Sequence, residues 1–81
     1  MVSECKVRLF YPPQLVRKPL LSSMIRQFDL QTNIIEAHVT DEEGRLVLIV
    51  RGEPVKVRQG LEWMSLQGVQ VEVLEQSEVE S

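Results

Sequence analysis

Few residues in this chain have side chains that could carry out chemistry. His38 is the single histidine and Cys5 the single cysteine. An imidazole can serve as a base or a metal ligand, but it needs a carboxylate or thiolate partner to orient it. No Asp or Cys stands at a recognisable spacing from His38, which reads as a surface residue on a strand. A thiol becomes a nucleophile when its neighbours favour the thiolate. Cys5 has no such neighbour and reads as a small apolar strand residue. One cysteine also excludes an internal disulfide and any Cys-rich metal site, so a reducing, cytoplasmic setting is expected. The carboxylates of Asp41-Glu42-Glu43-Gly44 cluster without the alternating ligand pattern of a calcium loop, and read as a solvated hairpin tip. No phosphate-cradling glycine loop is present. The expectation is a protein without catalytic residues, cofactor or metal.

The elements that would position any site follow from periodicity. Cys5, Val7, Leu9 and Tyr11 alternate with Lys6, Arg8 and Phe10, which is the period of a strand. Pro12-Pro13 ends it, since proline cannot donate to a ladder. Pro19 suits a first helical turn, and Leu20, Leu21, Met24, Ile25 and Phe28 follow at helical spacing. A second strand is expected over Asn33 to Thr40, with Ile35, Ala37 and Val39 on one side and Ile34, Glu36 and His38 on the other. Gly44, free to take positive φ, closes a short turn into a third strand, Leu46 to Arg51, apolar on both faces. Gly52-Glu53-Pro54 opens a second helix with Val57, Leu61 and Met64 inside. Gly60 within it lets the helix approach the sheet or the first helix closely. Gly68 stops it. The last strand, Val69 to Val73, turns its valines inward.

The order β-α-β-β-α-β is that of the ferredoxin-like α+β sandwich. It predicts a four-stranded antiparallel sheet with two helices on one face, because right-handed crossovers place them together. With 81 residues the chain makes one domain. Its expected span is 1–74, followed by an acidic, disordered tail at 75–81. Net charge is −3, and without Glu75, Glu78 and Glu80 acids and bases balance. A near-neutral body argues against a nucleic-acid surface. So does the third strand, which has no aromatic for base stacking. No apolar run is long enough to cross a membrane. Met1 to Tyr11 interleaves Glu4, Lys6 and Arg8, unlike a secretory signal.

The uncovered sheet face should be polar on strands one and four, through Lys6, Arg8, Gln70 and Glu72. On strand three it is apolar in either orientation: Val47 and Ile49, or Leu46, Leu48 and Val50. Strand two is expected at an edge, which is a template for further pairing. A small domain with an apolar patch and an open edge is expected to form a homodimer, the alternative being a monomer with a few exposed aliphatics. Trp63 and Leu66 lie off the inner stripe of the second helix. They read either as local packing or as anchors for another protein.

An ordered set of residues along nearly the whole chain resembles the NIL domain. The set is Val7-Arg8-Leu9-Phe10, Pro19-Leu20-Leu21, Phe28, Asn33-Ile34-Ile35, Leu61-Glu62-Trp63-Met64 and Gly68-Val69-Gln70-Val71-Glu72-Val73-Leu74. Asn33-Ile34-Ile35 stands where the family has its Asn-Ile-Leu signature. NIL domains are similar to ACT domains and end the ATPase subunits of methionine-import ABC transporters. They pair as dimers there and bind methionine near the interface. Others accompany ferredoxin modules or stand alone. The resemblance implies a ligand site at the second strand, with Asn33 as polar contact and Ile34, Ile35, Ala37 and Val39 as an apolar wall. On the residues alone, Asn33 reads equally as the closure of the preceding turn. The loop Pro12 to Lys18 is basic and proline-rich, and lacks the glycine by which ACT domains admit a ligand.

Two functions are therefore expected. One is a regulatory homodimer that binds an amino acid such as methionine and modulates a partner protein. The other is a ligand-free interaction or assembly module that docks on a transport or ferredoxin-type redox partner.

Overall fold

In the computed structural model, which describes residues 1–79, the chain forms β1 (Val2–Tyr11), α1 (Leu20–Phe28), β2 (Gln31–Val39), β3 (Gly44–Gly52), α2 (Pro54–Leu66) and β4 (Gln70–Val79). A short 3₁₀ turn at Pro13–Leu15 lies between β1 and α1. The strands form one sheet in the order β2-β3-β1-β4, and every neighbouring pair is antiparallel. This is the ferredoxin-like architecture, with β2 and β4 at the edges.

The core follows from the alternation of β1. Cys5, Val7, Leu9 and Tyr11 are buried, with Leu48 and Val50 beside them on β3. Leu20 and Met24 of α1 and Val57, Leu61 and Met64 of α2 close over this face. Each such side chain contributes on the order of 1.5–3 kcal/mol. Gly60 sits against α1: a Cβ there would lie 2.7 Å from Leu30 Cδ1 and 3.2 Å from Met24 Cγ. The close approach anticipated for Gly60 is thus to the first helix and to Leu30, two residues beyond its end. Gly68 takes φ +105° and ends α2 as expected. Its N–H donates to Ser65 and that of Val69 to Met64, which satisfies two of the last carbonyls of the helix.

Several boundaries differ from those expected. Pro19 caps α1 from just outside, its carbonyl accepting the Ser23 N–H and the Ser22 hydroxyl. Gly44 does not take positive φ. The hairpin turn is closed by Thr40, whose hydroxyl accepts the N–H groups of Glu42 and Glu43, so Gly44 is free to join β3. The acidic segment expected to be disordered continues β4 as far as Val79, with Glu75 opposite Lys6 and Ser77 opposite Glu4. Cross-strand pairing of opposite charges favours that extension. Residues 80–81 lie outside the described residues. Val73 shares a sheet face with buried Val7, yet is 51% exposed because it stands on the edge strand.

Candidate functional site

The β2 edge is the most accessible part of the sheet. All its residues except Thr32 are exposed, including the large side chains of Ile34, Ile35 and Val39. The expected face assignment fails at one place, for a local reason. Up to Ile34 the ladder with β3 runs in one register (Asn33 opposite Ile49, Ile34 opposite Leu48). It resumes with Glu36 opposite Val47 and Ala37 opposite Leu46. Ile35 is therefore a bulge, one extra residue that reverses the alternation. Ile34 thus shares the helix-side face with Ala37 and Val39, while Asn33 lies with Glu36 and His38 on the open face.

The five expected site residues are accordingly divided. Ile34 and Val39 line a groove of about 430 Å³ on the helix side. Asn33 lines a second depression of about 260 Å³, with Glu4, Gln31, Thr32, Ile49 and Arg51. Ile35 stands at the bulge, and Ala37, opposite Leu46, lines neither. The apolar patch expected on the open face is formed by Val47 and Ile49, both half-buried. Ion pairs of Arg8 with Glu72 and Arg51 with Glu4 flank that patch, and the Arg45 guanidinium lies 5.9 Å from the Phe10 ring centroid.

The larger groove runs between α1 and the β2–β3 hairpin. Leu21, Ser22 and Ile25 of α1 form one wall; Thr32, Ile34, Val39 and Leu46 form the other. Tyr11, Val16, Lys18, Pro19 and Gly44 close the end at the loop between β1 and α1. Beside that end an ion pair joins Arg17 to Asp41 at 3.3 Å. Tyr11 is 7% exposed, and its hydroxyl makes no hydrogen bond among the described residues. Burial pushes the Tyr11 phenol up to about 12. Burial also raises the Cys5 thiol, which disfavours the reactive thiolate. Sequence reasoning missed the α1 and loop walls of this groove. One signal was available: a hydroxyl, that of Tyr11, at the end of an otherwise apolar inward stripe.

His38 is exposed, and among the described residues no group of three or more His, Cys, Asp or Glu side chains is placed to hold a metal ion. Likewise no helix among them is long and apolar enough to cross a membrane.

Residues 5–73 match the family profile of the NIL domain. This chain belongs to the NIL domain family. The NIL chain is 36% identical over 72 residues to the methionine import ATP-binding protein MetN 1 of Paraburkholderia xenovorans. Its identity to the methionine import ATP-binding protein MetN of Burkholderia thailandensis is also 36% over 72 residues. Each alignment covers 84% of the NIL chain and 21% of the relative, so the chain spans about a fifth of their length. Among solved structures, the C-terminal domain of an ABC transporter ATP-binding protein from Enterococcus faecalis superposes with TM-score 0.76 at 20% identity, covering 86% of this chain and 82% of that one. The C-terminal domain of the MgtC protein from Mycobacterium tuberculosis gives TM-score 0.56 at 19% identity, covering 91% and 89%. At such identities the likeness is one of fold.

Proposed function

We propose that this NIL domain is a non-catalytic regulatory module of the cytoplasm. It pairs with a second copy through β2, binds a small amino acid such as methionine at that strand, and modulates a partner protein. The observation that carries this reading is the β2 edge. Ile34, Ile35 and Val39 are 50%, 46% and 61% exposed on a strand whose outer backbone groups are open to pairing, a combination that favours association. Membership of the family and the names of the methionine-import relatives support an amino acid as the ligand class. Asn33 at the start of the strand is the proposed polar contact, and Ile34, Ile35, Ala37 and Val39 the apolar one. Regulation then follows from coupling. If the partner protein distinguishes the same two arrangements, the ligand alters the partner's affinity by the same factor as the partner alters the ligand's.

A thermal-shift screen against the amino acids tests this. A ligand specific for the folded state, at a hundredfold excess over its dissociation constant, stabilises by about 2.7 kcal/mol. For a domain of this size that corresponds to roughly 10–20 °C. A specific rise that Asn33→Ala removes supports the proposal, and the absence of any rise at millimolar ligand contradicts it. The second reading, a ligand-free docking module, is favoured by Leu66, which is 77% exposed near the end of α2. Under that reading Leu66→Ala weakens capture of a transport or redox partner while no amino acid shifts the melting temperature.

A further inference from the structure

We infer that the bulge in β2 has two interchangeable places, Ile35 and Ile34, and that its move between them is a switch joining the outer edge of the sheet to the groove beside α1. The ladder pairs Asn33 with Ile49 and Ile34 with Leu48, passes over Ile35, and resumes with Glu36 opposite Val47. If Ile34 is passed over instead, Ile35 stands opposite Leu48. The pairs Asn33 with Ile49 and Glu36 with Val47 stay as they are. A simple slip of one residue would turn every side chain beyond it to the other face. Migration of the bulge by one residue confines the change to two.

Side-chain identity ordinarily pins a bulge, because the residue passed over and its neighbour meet different surroundings. Here the two residues are the same. They have one volume and one strand preference. Neither is locked in the core: Ile34 is 50% and Ile35 46% exposed. In both arrangements one isoleucine lines the groove with Ile25, Val39 and Leu46, while the other occupies the bulge. β2 is an edge strand bonded only to β3, so one ladder alone has to rearrange. The bulge of β4 differs. It passes over Leu74, between Val73 and Glu75, where an exchange would trade side chains of unlike shape or charge.

The move has a consequence on both sides of the strand. Backbone groups of a strand alternate between its two neighbours. The residue opposite Leu48 therefore sets which N–H and C=O groups at 34–35 face β3 and which face outward. The same residue supplies the groove's isoleucine. Pairing of a second copy along the edge thus favours one bulge position and reshapes the groove wall in the same step, which couples the two surfaces. The coupling rests on the proposed pairing through β2; the migration itself does not.

Nuclear magnetic resonance on the intact chain with labelled isoleucine methyl groups tests the migration. In the parent chain the Ile34 methyls should show Overhauser contacts to Ile25 and Leu46. Ile34→Asp puts a carboxylate on the apolar side, which favours moving that residue into the bulge. The expected result is that the Ile35 methyls take over the contacts to Ile25 and Leu46, with the pairs Asn33–Ile49 and Glu36–Val47 intact. Ile35→Asp should leave the parent pattern unchanged. A folded Ile34→Asp chain in which Ile35 gains no groove contact overturns the inference. Should that variant unfold, a cycle of Ile34→Thr, Ile35→Thr and the double substitution decides in urea titration. Migration predicts that the double variant loses more stability than the two single losses together, since a threonine then faces the groove in either arrangement. A double loss equal to their sum overturns it. Neither result bears on the pairing proposal, which concerns association and not the place of the bulge.

Discussion

The two edge strands of this sheet differ where it matters for association. Both are exposed and both contain one bulge, at Ile35 in β2 and at Leu74 in β4. A bulge twists an edge away from ready pairing. Side chains separate the two. The outer stretch of β4 carries Glu72, Glu75 and Glu78, with Glu72 paired to Arg8. Between Asn33 and Val39, β2 carries one acid, Glu36, among exposed isoleucines and valine. Charge along β4 opposes addition of another strand, whereas β2 has little to oppose it. The lesson is that equal backbone exposure does not make equal interfaces.

The comparison is broken most severely from within the proposed pairing surface. Ile35→Lys should weaken self-association on the order of a hundredfold or more, because a cation replaces an apolar contact beside its own copy. Val73→Lys, on the other edge, should leave the oligomeric state unchanged in sedimentation equilibrium. If the two variants act alike, the distinction between the edges is lost. A core control sharpens the reading: Leu48→Ala should lower unfolding free energy by about 2–5 kcal/mol. By contrast, exposed Ile34→Ala should cost the monomer under about 1 kcal/mol in urea titration.

A smaller effect concerns Tyr11, the only tyrosine, whose ionisation can be followed by tyrosinate absorbance. Its folded pKa of about 12 exceeds the unfolded value near 10. The associated stability is therefore intact below pH 10 and lost as pH rises toward 12. Tyr11→Phe should flatten that alkaline loss. The smallest effect belongs to the β4 charges. Arg8 and Glu72 are both more than half exposed, and Glu72→Ala should cost no more than about 1 kcal/mol.

Much of this was legible in the sequence because period-two and helical apolar spacing report burial directly. β1 alternates without interruption, and the inner stripes of both helices lie where Met24, Leu61 and Met64 placed them. The site was less legible because it depends on one inserted residue. Nothing in Asn33-Ile34-Ile35-Glu36 announces a bulge, and a single extra residue exchanges the faces of everything on one side of it. The groove walls were hidden for another reason. Tyr11, Lys18 and Ile25 lie on separate elements, and only the fold brings them to one place. The extension of β4 was missed because its acids suggested solvent, while their cross-strand neighbours Lys6 and Ser3 lie far off in sequence.

The central claim is that β2 is the surface at which this domain associates. Hydrogen–deuterium exchange, followed strand by strand across a dilution series, tests it directly. The account predicts that amides from Asn33 to Val39 gain protection as concentration rises, while those from Glu72 to Glu78 exchange at a constant rate. Protection that grows along β4 instead, or along neither edge, would contradict it.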